Sequence, residues 1–163
     1  MWITWQTRKK RGFTLIELLV VIAIIGILTT VASLSLLGAR RRARDTKRVS
    51  DMQQIRNALV VYSNQRATYP PATSTTTAED IELGRAEARC LDDSDAGFSA
   101  SCADADRLQI MQSVPFEQWN GSDYLYRKTA AQEYEIDFVL EGGVGDLPGG
   151  NCTATQSAIT CAP

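Results

Sequence analysis

Residues 13–37 carry one ionisable side chain, Glu17, in an otherwise uncharged run that includes Leu18-Leu19-Val20-Val21-Ile22-Ala23-Ile24-Ile25-Gly26-Ile27-Leu28. As a helix rising 1.5 Å per residue, such a run reaches across the roughly 30 Å of hydrocarbon in a bilayer. This constrains the fold more than any other feature. A helix that is apolar on every face has no partner to bury it within a small chain, so it lies in lipid or against other copies. An ionisable group inside such a segment is costly and marks a function.

The remaining residues are polar, with ordinary turn signals, and a chain of 163 residues leaves room for one modest domain beyond the anchor. The formal net charge of −2 conceals an asymmetry. Residues 13–66 hold eight Lys/Arg against Glu17, Asp45 and Asp51, whereas residues 67–163 hold five against sixteen Asp/Glu. A basic stem beside a membrane segment suits anionic lipid head groups, and it also suits the acidic head of a neighbouring copy. The basic run has no interleaved aromatics and the head is acidic, so no nucleic-acid partner is expected.

The four cysteines, Cys90, Cys102, Cys152 and Cys161, all fall in the acidic half. They permit three pairings. Pairing near neighbours, Cys90 with Cys102 and Cys152 with Cys161, closes two short loops. An oxidising, exported location favours disulfides and a small core benefits from them. With no histidine and no Cys-x-x-Cys clamp, a metal centre is not expected.

Two other readings compete at the N-terminus. A basic segment, an apolar region and the small residues Thr30-Val31-Ala32 also describe a secretory signal peptide cut before Ser33. Against it, the apolar region continues to Leu37 and Glu17 interrupts it. For Glu17 itself, Thr14-x-x-Glu17 fits a capping box, and an acid in the first turn suits the helix dipole. Capping and a functional role are compatible. Charge counting does not orient the span: Arg8, Lys9, Lys10 and Arg11 precede it, while Arg40, Arg41, Arg42, Arg44, Lys47 and Arg48 follow.

The junction Lys9-Lys10-Arg11-Gly12-Phe13-Thr14-Leu15-Ile16-Glu17, followed by the apolar run, resembles the N-terminus of bacterial type IV prepilins and type II secretion pseudopilins over about residues 8–37. The resemblance implies cleavage between Gly12 and Phe13 by prepilin peptidase, N-methylation of Phe13, and a role for Glu17 in assembly. It implies a homo-oligomeric helical filament built at an inner-membrane assembly platform. It also implies a single-pass precursor in the inner (cytoplasmic) membrane, N-terminus in and C-terminus out, that later joins an extracytoplasmic filament. Arg44-Asp45 and Tyr69-Pro70 resemble landmarks of the major pseudopilins.

Past Gly38, Val49, Met52, Ile55, Leu59 and Tyr62 recur at steps of three or four, the apolar stripe of an amphipathic helix. The pattern predicts one helix over residues 13–66, ended before Tyr69-Pro70-Pro71. Thr77-x-x-Asp80 predicts a short helix to about Ala88, residues 91–101 an irregular acidic loop, and residues 104–112 another helical turn or two. Residues 123–128 and 133–140 read as paired strands: Tyr134, Ile136, Phe138 and Leu140 share one face, and Glu133, Glu135 and Asp137 the other. Residues 142–150 read as a glycine-rich loop and 158–161 as a short third strand. The expected class is α+β, a long N-terminal helix packed on a small antiparallel β-meander head. The expected organisation is a cleaved leader (1–12), an assembly helix (13–37), its amphipathic continuation (38–66) and a head (67–163).

No catalytic set stands out, and the commonest general base is missing with histidine. The run Asp92-Asp93-Ser94-Asp95 reads as a solvated loop. Gly145-Asp146 sits where some major pseudopilins bind calcium, but offers one acid. Asn120-Gly121-Ser122 and Asn151-Cys152-Thr153 match the glycan acceptor pattern and are expected to be idle. The reading is a structural filament subunit, not an enzyme, with no cofactor. The alternative is a minor pilin or membrane-tethered binding protein for a surface ligand or DNA.

Overall fold

The computed structural model describes residues 12–72, 80–85, 87–101, 106–117 and 123–162, the side chain of Leu34 excepted. The chain divides into two units, one ending at Ala39 and the other Arg40–Pro163. A single helix, α1 (Leu15–Arg66), contributes to both. Among the described side chains of α1 as far as Ala39, every one is exposed. By length and composition this helix is able to cross a membrane.

In the second unit α1 becomes one-sided. Met52, Ile55, Leu59 and Tyr62 are all but fully buried, and Val49 packs partly against them. Burial of such side chains contributes about 1.5–3 kcal/mol each. Val60 and Val61, off the stripe, stay exposed. The helix ends where Ala67 turns left-handed (φ 55°), its amide still donating to Ser63 O at 2.8 Å. Pro70 and Pro71 follow, and the Tyr69 amide is taken up by Ala131 O.

The stripe packs on a five-stranded antiparallel sheet. Its strands are β1 (Ile81–Glu82), β5 (Leu125–Ala130), β6 (Glu133–Leu140), β7 (Gly150–Thr155) and β8 (Ile159–Cys161), in that spatial order. Strands β5 to β8 form a meander, with Tyr126 opposite Ile136 and Ile136 opposite Ala154. The period of two puts Tyr124, Tyr126, Tyr134, Ile136, Phe138, Leu140, Cys152 and Ala154 into the core. A smaller sheet orders β3 (Phe98–Ser99), β2 (Cys90–Asp92) and β4 (Gln109–Met111). Gly97 sits at its tight turn with φ +69°, where a Cβ would come within 2.6 Å of Pro70.

The α+β class and the long helix agree with the sequence reading. Three local expectations do not. After Asp80 the described residues form no helix: Ile81–Glu82 pairs with β5, and Leu83 is fully buried. Residues 91–101 are not wholly irregular, because β2 and β3 pair there and all three β2 residues are buried. The described part of 104–112 carries β4, paired with β2, in place of helical turns. In each case strand pairing overrode a local helix-start or loop signal. Strand β7 had no counterpart in the sequence reading.

Candidate assembly site

Helix α1 begins with Thr14 as its N-cap. The Thr14 amide and its Oγ1 donate to Glu17 Oε2 at 2.9 and 2.8 Å, and the Glu17 amide donates back to Thr14 Oγ1 at 3.3 Å. This is a reciprocal capping box. Glu17 is exposed, as are Gly12 and Phe13, the latter 81%. A Cβ added at Gly12 would meet nothing within 4 Å, so packing among the described residues does not require glycine there.

The head is tied to its stem by a buried ion network that sequence reasoning missed. Arg48 Nη1 donates to Asp45 at 2.8 Å, Nε to Glu117 at 2.5 Å and Nη2 to Glu141 at 3.0 Å. Asp45 also accepts the amides of Glu141 and Gly142, at 2.9 and 2.8 Å. Arg44 Nε donates to Glu141 at 2.8 Å, which with Arg48 holds the Glu141 carboxyl down at about 2. Burial works against the Arg48 charge, but Glu117, Glu141 and Asp45 outweigh it and its pKa is raised. Nearby, Asp51 is buried and accepts Lys47 Nζ and the Tyr124 hydroxyl. The signal was present as Asp45 and Arg48 at helical spacing, hidden in a run of arginines that reads as a basic stem.

Cys152 and Cys161 lie directly opposite one another on β7 and β8 and are disulfide-bonded. Cys90 lies on β2 and is itself disulfide-bonded. The pairing expected for it involves Cys102, which lies outside the described residues, as do Arg8 to Arg11 and the Asn120 glycan pattern. Asn151-Cys152-Thr153 lies within β7. Among the described residues no group of His, Cys, Asp or Glu is placed to hold a metal ion.

A profile described as the prokaryotic N-terminal methylation motif matches residues 7–33. It places the chain among prepilin-type filament subunits, which are substrates of prepilin peptidase. Type II secretion system core protein G of Escherichia coli (strain K12) is 34% identical over 119 residues, 73% of this chain and 72% of that one. The protein of the same name from Aeromonas hydrophila is 42% identical over 65 residues, 40% of this chain and 46% of its own. The type IV wide pilus major component PilA4 of Thermus thermophilus is 64% identical over 39 residues, 24% and 30% of the two chains. The chain therefore spans most of the first relative and under half of the other two. No solved structure matches it significantly. The chain belongs to the family of type II secretion system core protein G, whose members are structural pseudopilins related to type IV pilins and not an enzyme family.

Proposed function

We propose that the chain is the repeating subunit of a type II secretion pseudopilus, matured by cleavage between Gly12 and Phe13 and methylation of the Phe13 amine. The similarity to core protein G extends over 119 residues, well into the head, while the pilin similarity is confined to 39. That difference favours a pseudopilus over a pilus. The observation that carries the reading is the first half of α1, apolar and exposed on every face. Lipid covers it in the precursor, and sister helices cover it in the filament. The precursor sits in the inner membrane with its basic N-terminus in the cytoplasm and its head outside, where the disulfides form. Assembly draws it out at a membrane platform.

Glu17 has two tasks in this scheme. In the free subunit it caps α1 through Thr14. In the filament it pairs with the Phe13 amine of an adjacent copy, in a dry core where an unpaired carboxylate is costly. Such a pair sets axial register, as a buried polar group does in a coiled coil. Mass spectrometry of filaments sheared from the cell surface tests the whole reading. The expected result is this chain as the dominant protein, starting at N-methylated Phe13. A chain starting at Met1 or Ser33 excludes the processing scheme, and trace amounts at a fibre tip favour a minor pilin.

A further inference from the structure

The outer face of the five-stranded sheet is hollowed where β1, β5, β6 and β7 meet. A depression of about 570 Å³ is lined by Leu125, Val139, Asn151 and Thr153, with Glu82, Asp123 and Asp137. Its three carboxylates are not all neutralised within the chain. Asp123 pairs with Arg85, and Asp137 takes the Thr153 hydroxyl with Arg127 3.7 Å away, but Glu82 is exposed and has no ion pair among the described residues. The sheet face thus offers an apolar floor with an acidic rim.

The complement lies in the same unit. Arg40, Arg41 and Arg42 are exposed and, unlike Arg44 and Arg48, make no ion pair among the described residues. At 3.6 residues per turn, three consecutive residues fan over about 200° of the helix. They form a partial collar on it with which no carboxylate among the described residues pairs. An arginine suits this hollow well, because its stem covers apolar surface while its planar fork meets carboxylates.

We propose that this sheet face is a docking surface for the arginine collar of a second copy of this chain, making a head-to-stem contact that repeats along the filament. The inference rests on the filament reading above and names the contact that reading leaves open. The surface is self-complementary between copies but heterologous, with different patches meeting, and such contacts build open helical arrays. The charges also steer the entering subunit and reject wrong registers, since juxtaposed like charges are costly.

The test is complementation between full-length chains. One variant reverses the collar (Arg40→Glu with Arg41→Glu), and a second reverses the face (Glu82→Lys with Asp137→Lys). A third carries Glu82→Lys alone, at an exposed position where the fold is not at risk. Each variant alone then sets like charges against each other, and sheared-filament yield is expected to fall at least about tenfold for the two double variants. Glu82→Lys alone gives a smaller loss. Expressed together, the two double variants supply opposite charges wherever one meets the other, and yield recovers well above that of either alone. Membrane amount and cleavage are followed by immunoblot throughout. A face variant that assembles normally, or a mixture no better than the collar variant alone, overturns the proposal. If the collar variant instead leaves the membrane fraction and the face variant is silent, the collar serves anionic lipid. Failure of the unaltered chain to give any filament would reject the filament reading itself, a different outcome.

Discussion

Asp45 and Arg48, one helical turn apart on α1, form an ion pair at 2.8 Å with both side chains almost wholly buried. Neither charge survives there without the other's network. Asp45 is filled by Arg48 and by two amides of the segment after β6, and Arg48 also reaches Glu117 and Glu141. The helix therefore reads two separate loops of the head at one point. Replacing Arg48 by Met takes its cation away from Asp45, Glu117 and Glu141 at once. Loss of one partner from a buried pair typically costs about 3–5 kcal/mol. A urea melt of the full chain in detergent should show a loss of that size, whereas Arg40→Met, on the exposed collar, should leave the midpoint unchanged.

The acid limb of stability should belong largely to Glu141. Its carboxyl is held at about 2 by the hydrogen bond from Arg44 and by Arg48, against an ordinary value of 4.5. A depressed folded value means that the contribution is complete above the ordinary value. It is lost as pH falls from there towards about 2. Glu141→Gln should flatten that limb while leaving the alkaline side unchanged. On the alkaline side burial pushes the Tyr134 phenol up to about 12, and Tyr124 and Tyr126 higher still. Raised folded values keep stability intact up to the ordinary 10 and lose it as pH climbs beyond, because the unfolded chain ionises first. Phenolate absorbance on alkaline titration should therefore rise together with unfolding, not before it.

The disulfide between Cys152 and Cys161 closes a loop with a separation of 9 residues. By loop entropy, removing it with a double alanine substitution should cost about 2–3 kcal/mol. The loss should appear first as amide exchange in β8, which among the described strands pairs with β7 alone. Non-reducing peptide mapping should also link Cys90 with Cys102; a crossed link to the C-terminal pair would disprove that assignment.

Much of this architecture was legible in the residues, and the limits follow from physics. The α1 stripe and the alternation in β6 are long periodic signals, and both elements are where their periods put them. Strands of two or three residues have no period to read. Ile81 is a strand because Tyr126 lies opposite, a fact carried by residues 45 positions away. Strand β7 alternates weakly, since Asn151, Thr153 and Thr155 flank only Cys152 and Ala154. At the N-terminus the capping box was visible as Thr14-x-x-Glu17. The Arg48 network was not, because charge type alone does not reveal which arginine of a run turns inward.

Processing rests on the Gly12 and Phe13 junction. Since none of the described residues crowds Gly12, Gly12→Val should leave the fold and membrane insertion intact. A branched side chain should instead crowd the peptidase cleft, and the precursor should accumulate uncut on immunoblots. Efficient cleavage of that variant would remove the reason for glycine there.

Glu17 separates capping from pairing between copies, because the two tasks involve different partners. Its carboxylate accepts from the Thr14 amide and hydroxyl, so Thr14→Val removes much of the cap and leaves the charge. Loss of a cap costs about 1 kcal/mol of helix stability. Glu17→Val removes both cap and charge. It makes the span more apolar, so insertion should not suffer, and the cleavage junction is untouched. If Glu17 only caps, the two variants should assemble alike, each slightly impaired. If it meets the Phe13 amine of an adjacent subunit, Glu17→Val leaves that amine buried and alone. The cost is then about 3–5 kcal/mol, at least about a hundredfold in the equilibrium for adding a subunit at 1.4 kcal/mol per factor of ten. Sheared-filament yield, at matched precursor level and cleavage, should therefore collapse for Glu17→Val and stay near normal for Thr14→Val. Equal yields from the two would leave Glu17 as a helix cap alone.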